Sequence, residues 1–478
     1  MNQSALKQKI EALAAFPESD PEQVEKLGQI MAEADTWDLF RINPLRFAET
    51  HGFETSSLLD LFVRGAKIGL FDFEWNMICP ACGGVVHTLP AICDVPKNNF
   101  HCTLCDVDVP TDLDSQIEVS FSPSRAISDL AINPYASFEN YWRYYFSDNF
   151  SWSSEILDYM RNEEVRHFTI AAPDDTAQIS FHAEPGQLFR VVCIEYHTAL
   201  KLQFTADRAE SPQIVDADLL TSGFSPNTLE LPAGDVTINV RSHLPSLAGL
   251  THLFVDAPRM DRLLESYPPV MAPYFTGKML LNHQTFRDLF RVQNLPYDFR
   301  LKVSNITILF TDMKGSTELY DSSGDMVAYS LVQKHFELLT ASVRKHSGAV
   351  IKTMGDAIMA SFSNPLNGFM AATEMMDQME QMNRESGSEA HEVGLKVGLH
   401  TGTAIAVNAN ETLDYFGQTV NIAARVQGLA QAGEIWITQP VYENEGISDI
   451  ISGRACHLEQ KIAVLKGVSE NTTVYRCA

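Results

Sequence analysis

Ile306-Thr307-Ile308-Leu309-Phe310-Thr311-Asp312-Met313-Lys314-Gly315-Ser316-Thr317 opens the most clearly patterned third of this 478-residue sequence. Apolar and β-branched residues run into one acidic residue and then into a short turn of small residues, which reads as a buried strand ending at Asp312. Beyond it, apolar residues at Tyr329, Val332, Phe336, Leu339 and Val343 alternate spacings of three and four and predict a helix closed by Gly348. Residues 350–354 and 358–362 read as two strands joined by a two-residue hairpin at Gly355-Asp356. A second helix follows Pro365, with Phe369, Ala372, Met376 and Met379 on one face. Residues 395–399 and 403–407 are expected to form another hairpin around Thr401-Gly402, and 418–430 a further helix. The order β-α-β-β-α-β predicts a ferredoxin-like arrangement, one antiparallel sheet with helices on one face.

Asp312 ends the first strand and Asp356 tips the hairpin expected beside it, so two carboxylates converge at one sheet edge. The turn Gly315-Ser316-Thr317 offers unpaired backbone N–H groups suited to phosphate oxygens. Carboxylates beside a phosphate cradle point to divalent ions shared with a nucleotide. Asn421 and Arg425 lie four apart on one helix face, which makes Arg425 a candidate phosphate clamp.

In these segments the sequence resembles the class III adenylyl and guanylyl cyclases. The resemblance rests on 310–317, Ile351-Lys352-Thr353-Met354-Gly355-Asp356, Gly398-Leu399-His400-Thr401-Gly402 and the run from Asp414 to Arg425, and it covers residues 303–478. It implies that Asp312 and Asp356 hold two Mg²⁺ or Mn²⁺ ions, that Lys352 and Asp414 read the purine edge, and that Asn421 and Arg425 position the ribose and stabilise the pentavalent phosphorus. Lys466, in Leu465-Lys466-Gly467, matches the lysine near the terminal phosphates, while His400 is expected to support its hairpin. The implied reaction converts ATP to 3′,5′-cyclic AMP and pyrophosphate by attack of the ribose 3′-oxygen on the α-phosphorus. ATP preference rests on the resemblance, in which Lys with Asp marks adenylyl cyclases. A guanylate cyclase, or a catalytically silent sensor on the cyclase fold, is the alternative. The resemblance also implies a homodimer with sites shared across its two-fold interface. The upstream 300 residues resemble an uncharacterised region found ahead of such domains.

Working further out, Cys79-Pro80-Ala81-Cys82 and Cys102-Thr103-Leu104-Cys105 are two C-x-x-C knuckles separated by 19 residues. Each can turn two thiolates toward one tetrahedral ion, so this block reads as a zinc ribbon holding one structural Zn²⁺. His87, Cys93 and His101 are the substitutes should one cysteine not serve. Residues 1–75 read as helical, ending in the alternating strand Phe71-Asp72-Phe73-Glu74-Trp75, and 76–115 as the ribbon. Residues 116–256 read as a β-rich, sandwich-like domain of antiparallel strands punctuated by Pro173-Asp174, Pro185-Gly186, Pro226-Asn227 and Pro232-Ala233-Gly234. Its aromatic cluster, 141–146, is expected to be helical core. Residues 257–302 form a Pro-rich linker with a docking helix around Phe286, Leu289 and Phe290, and 303–478 the cyclase domain.

Lys plus Arg number 35 and Asp plus Glu 61, a formal charge of −26 that repels phosphate backbones and anionic lipid surfaces. Residues 1–115 hold eight basic and eighteen acidic side chains, so the ribbon is not expected to read nucleic acid. No apolar run reaches the roughly 18 residues that span a bilayer. A cytoplasmic protein without membrane insertion, taking an unidentified regulatory ligand or protein partner, is the expectation.

Overall fold

Asp20 and Asn43 each accept a backbone N–H two residues on, and with Pro21 and Pro44 in the first turn they start two of the four helices that open the chain. These are α1 (Gln3–Ala14), α2 (Pro21–Glu33), α3 (Pro44–His51) and α4 (Thr55–Lys67). The structure is a computed structural model that describes residues 1–478 except 291–295, 297, 315–324, 387–392, 410–411, 455 and 469. The helices close over β1 (Phe71–Ile78), whose alternation buries Phe71 and Trp75. β1 lies between β2 (Val85–Leu89) and β5 (Ile117–Pro123), antiparallel to both. The β5 run, expected in the β-rich middle, therefore belongs to the N-terminal sheet, since its alternating Ile117, Val119 and Phe121 find their apolar partners there. A ribbon of β3 (Asn99–Cys102) and β4 (Val107–Pro110) carries the second knuckle.

The aromatic cluster is helical as expected, in α5 (Phe138–Tyr145). A short β6 (Phe150–Ser151) and α6 (Ser154–Tyr159) lead into β7 (Val165–Ala171), β8 (Thr176–Ala183), β9 (Leu188–Cys193), β10 (Thr198–Arg208), β11 (Gln213–Leu220), β12 (Gly223–Ser225), β13 (Thr228–Ser242) and β14 (Ala248–Phe254). Here two expectations fail. β13 runs parallel to both β10 and β11, so the region is not wholly antiparallel. Pro232-Ala233-Gly234 is not a turn but a point inside β13, where Gly234 at φ +143° lets the strand pass from β10 to β11 and β8. Phe181 of β8 and Phe189 of β9 meet at 4.7 Å in the core between them.

The segment expected to be a linker carries α7 (Ala257–Ser266), β15 (Val270–Met271, paired with β6), α8 (Gly277–Leu281) and α9 (Gln284–Leu289). Its buried Phe275, Leu280, Leu281 and Phe286 sit in one continuous core with Trp75 and Phe121 on one side and Ile308, Phe310 and Tyr415 on the other.

The C-terminal third begins with β16 (Arg300–Lys314) and continues with α10 (Asp325–Lys345), β17 (Gly348–Met354), β18 (Ala357–Phe362), α11 (Pro365–Ser386), β19 (Gly394–Ala409), β20 (Thr412–Phe416), α12 (Gln418–Gln427) and β21 (Glu434–Thr438). Short helices α13 (Gln439–Tyr442) and α14 (Ile447–Gly453) precede β22 (Leu458–Ala463) and β23 (Thr472–Cys477). The sheet order is β17-β18-β16-β19-β21-β23-β22, with β20 beside β19. β19 and β21 are parallel, a departure from the all-antiparallel expectation. Alternation along β16 sends Leu309 toward α10 and α11, and Ile308 and Phe310 toward α12, α8 and α9. Both faces are therefore covered, where helices on one face were expected.

Gly348 does not close α10. Ser347, at φ +55°, takes the left-handed position, and Gly348 starts β17 because a Cβ there would lie 2.3 Å from Phe362. Nor is there a hairpin at Thr401-Gly402: β19 runs unbroken through both, paired with β16 from Gly394 to Val407 across one register shift. The reason lies in α12. A Cβ on Gly398 would sit 2.1 Å from the backbone nitrogen of Gln427, and one on Gly402 2.7 Å from Thr419 Oγ1. Two glycines four apart on one face of the strand are there to admit a helix, not to turn the chain.

Candidate active site

Phe310 pairs with Met359, and extending that register by two sets Asp312 opposite Ala357, the neighbour of Asp356. The hairpin that carries Asp356 turns at Gly355, φ +65°, as its Gly-X pair requires. The two carboxylates thus share one edge of the sheet. Asp312 also faces Lys396 in the β16–β19 register, and their Oδ2 and Nζ stand 2.7 Å apart. Lys396 was missed in the sequence. Its signal was an opposite charge at the cross-strand position, legible only once the β16–β19 register is known. Two hard oxygen donors on a half-exposed edge fit a divalent ion, with Lys396 orienting Asp312. Gly315, Ser316 and Thr317, the expected phosphate turn, lie outside the described residues.

Lys352 on β17 and Asp414 on β20 meet directly, Nζ to Oδ2 at 2.5 Å, although 62 residues separate them. One cationic donor and one acceptor side by side, with Lys352 exposed, form an edge that can pair with a heterocycle. Asn421 and Arg425 are both exposed on α12, which Gly398 and Gly402 seat against β19. Among the described residues no hydrogen bond or ion pair links Asp312 or Asp356 to Lys352, Asp414, Asn421 or Arg425. Lys466 is exposed in the turn after β22, beside Gly467 at φ +84°. His400 is buried within β19, its Nδ1 2.8 Å from Thr438 Oγ1. Burial pulls its pKa down to about 4, so the ring is neutral at pH 7 and ties β19 to β21.

Sequence reasoning also missed the residues that hold β20 from the N-terminal side. Arg287 of α9 donates to the carbonyl of Leu413, and the buried Asn282 accepts from the Tyr415 hydroxyl at 3.2 Å. These two contacts flank Asp414. Burial lowers the Arg287 pKa, with Tyr415 and Asp414 working against it.

Cys79, Cys82, Cys102 and Cys105 bring their sulfurs within 4.8 Å of one another. Cys82 and Cys102 Sγ lie 3.7 Å apart, close to the about 3.8 Å that tetrahedral Zn–S bonds of about 2.3 Å impose. Hydrogen bonds among the sulfurs push Cys79 and Cys102 down and Cys82 and Cys105 up, so four thiolates here need a cation. The three substitutes are occupied elsewhere or apart: His101 bonds Asp108, His87 packs on His197, and Cys93 is exposed.

Comparison with known proteins finds two family matches along the chain. Residues 4–288 match a family of unknown function (DUF5939), and 300–467 match the adenylate and guanylate cyclase catalytic domain. An adenylate cyclase of Anabaena cylindrica is 28% identical over 183 residues, 36% of this chain and 36% of that protein. The guanylate cyclase 2G of Rattus norvegicus is 26% identical over 234 residues, 47% of this chain and 19% of that protein. This chain therefore spans well under two thirds of either relative. The crystal structure of the adenylyl cyclase CyaB from P. aeruginosa aligns at 22% identity and a TM-score of 0.33, over 38% of this chain and 96% of that one. The chain belongs to the family of unknown function (DUF5939) over residues 4–288 and carries an adenylate and guanylate cyclase catalytic domain over residues 300–467.

Proposed function

We propose that this chain is an adenylate cyclase, forming 3′,5′-cyclic AMP and pyrophosphate from ATP under the control of its N-terminal half. The observation that carries the reading is the Lys352–Asp414 pair, which sets a donor and an acceptor at 2.5 Å on one exposed edge. Adenine presents N1 as acceptor and its amino group as donor, which Lys352 and Asp414 match respectively; guanine offers O6 and N1–H in the same two roles, so the preference for ATP rests on the resemblance, in which Lys with Asp marks adenylyl cyclases. Asn421 orients the ribose, and Arg425 stabilises the charge that gathers on the α-phosphate as pyrophosphate leaves. Lys466 holds the terminal phosphates, and Gly315, Ser316 and Thr317 are assigned to bind them with it. Two Mg²⁺ or Mn²⁺ ions, bound by Asp312 and Asp356, would lower the pKa of the 3′-hydroxyl and neutralise phosphate charge.

The strand order β17-β18-β16-β19 supports the split β-α-β, ferredoxin-like reading of this domain. The absence of direct contacts between the carboxylate pair and the Lys352, Asp414, Asn421 and Arg425 set, among the described residues, supports a head-to-tail homodimer in which each protomer supplies half of two sites. The four-sulfur geometry supports one structural Zn²⁺ per chain. None of the helices is long and apolar enough to cross a membrane among the described residues, in keeping with a cytoplasmic enzyme.

The test is turnover of ATP and GTP in parallel, with Mg²⁺ and with Mn²⁺. Cyclic AMP as the main product supports the proposal, and cyclic GMP as the main product replaces it with a guanylate cyclase. No product from folded dimer with either metal leaves a catalytically silent sensor.

A further inference from the structure

Three strands, β18, β16 and β19, stand between β17 and β20 in the C-terminal sheet. Adjacent strands lie about 4.8 Å apart, so a flat sheet would keep β17 and β20 roughly 19 Å from each other. Lys352 of β17 and Asp414 of β20 nevertheless meet at 2.5 Å. The sheet therefore curls, and among the described residues no backbone ladder joins these two strands to set the gap across which the pair closes.

The corner between α8 and α9 bonds to both sides of that gap. Asn282 is wholly buried, and its Oδ1 accepts from the Ser361 hydroxyl of β18 and, at 3.2 Å, from the Tyr415 hydroxyl of β20. Its Nδ2 donates back to the carbonyl of Lys278 at 2.8 Å, which fixes the way the amide faces. Two residues on, Gln284 Oε1 accepts the backbone N–H of Val350 in β17 at 2.7 Å. That N–H adjoins a bulge: Val350 pairs with Ala360 but Lys352 with Met359, so β17 carries one extra residue there. A bulge leaves the ladder locally open and re-aims the side chains beside it, and Lys352 is the first paired residue past it.

The corner is held in turn by the N-terminal half. Thr285 Oγ1 donates to Asp60 of α4 at 2.5 Å, and the buried Lys278 lies 2.7 Å from Asp114, just past the ribbon. Leu280, Leu281 and Phe286 share their core with Tyr415. We propose that this corner sets the base-reading edge, with Asn282 and Gln284 as positioning residues that hold Asp414 and Lys352 at the separation a purine requires. The inference rests on the nucleotide reading above and adds to it the residues that fix the edge from outside the catalytic domain.

Calorimetric titration of the full chain in excess Mn²⁺ tests it with two probes: 3′-deoxy-ATP, which lacks the attacking hydroxyl, and inorganic tripolyphosphate, which lacks the base. Gln284→Met keeps the side-chain length and removes the acceptor, and is expected to weaken 3′-deoxy-ATP about three- to tenfold while tripolyphosphate stays within about twofold. Tyr415→Phe keeps the ring, removes the bond to Asn282 and should behave alike. Gln284→Glu retains an acceptor for Val350 and should bind 3′-deoxy-ATP within about twofold of wild type. Amide hydrogen exchange over residues 350–352 should quicken in Gln284→Met and not in Gln284→Glu, with thermal melts verifying that each variant is folded. Unchanged 3′-deoxy-ATP affinity in folded Gln284→Met overturns the inference. So does an equal weakening of tripolyphosphate, the mark of general loosening. Wild-type protein that binds neither 3′-deoxy-ATP nor 3′-deoxy-GTP overturns the nucleotide reading itself, and the inference with it.

Discussion

Arg287→Ala removes from α9 a half-buried guanidinium whose Nη1 donates to Leu281 O at 3.2 Å and whose Nη2 donates to Leu413 O. Leu413 precedes Asp414 on β20, so the substitution loosens the strand carrying the carboxylate paired with Lys352. A buried carbonyl that loses its donor costs about 1–3 kcal/mol. Two are affected, but water reaches part of the space a half-buried side chain vacates, so a total of about 1–3 kcal/mol is expected. Asn282 still accepts from Tyr415, so β20 shifts but is not released. The urea midpoint should fall by the equivalent of that energy, and KM for ATP should rise several-fold with kcat affected less. Arg287→Lys keeps the charge without the fork and should fall between. Arg454→Ala, which breaks an exposed pair with Asp377, is the control and should cost less than about 1 kcal/mol. An Arg287→Ala protein with the expected loss of stability and an unchanged KM would refute the idea that α9 positions Asp414 for the nucleotide.

Gly398→Ala drives a Cβ to within 2.1 Å of a backbone nitrogen of α12, so a loss of about 3 kcal/mol and collapse of turnover are expected, whereas Gly453→Ala, with open space around it, should be silent in both melt and assay. Asp312→Ala and Arg425→Ala are each expected to be inactive alone. Refolded together, random pairing should restore about a quarter of wild-type turnover, and no recovery despite verified subunit exchange would exclude shared sites. Elemental analysis should find about one zinc per chain, lost in the Cys79→Ser, Cys82→Ser protein. His252 and His400 are buried with pKa values pulled down to about 4, so the folded chain refuses protons that the unfolded chain accepts near pH 6.5. Their contribution is complete above pH 6.5 and fades as pH falls toward 4, by about 2 kcal/mol each at pH 5. Urea midpoints at pH 7.5 and 5.0 should therefore differ less in His252→Leu than in wild type.

What was legible in the sequence was local. The element order from 306 to 362, the turn at Gly355-Asp356 and the alternating strand ending at Trp75 follow from side-chain periods of 2 and 3.6, which neighbouring residues impose on one another. The two knuckles were legible because ligand spacing within a turn is itself local. What only the tertiary structure decided depends on partners far along the chain. Gly402 reads as a turn residue until α12 is laid across it, and Pro232-Ala233-Gly234 reads as a loop until β13 is seen to pair with β10 before it and with β11 and β8 beyond it. The Lys396–Asp312 and Lys352–Asp414 pairs join residues 84 and 62 apart, and Arg287 reaches Leu413 across 126. A glycine records that something approaches closely, and a charge that something answers it. Neither records what, because the answer is set by sheet register and helix placement, and those are fixed by burial of apolar faces that residue spacing alone does not pair.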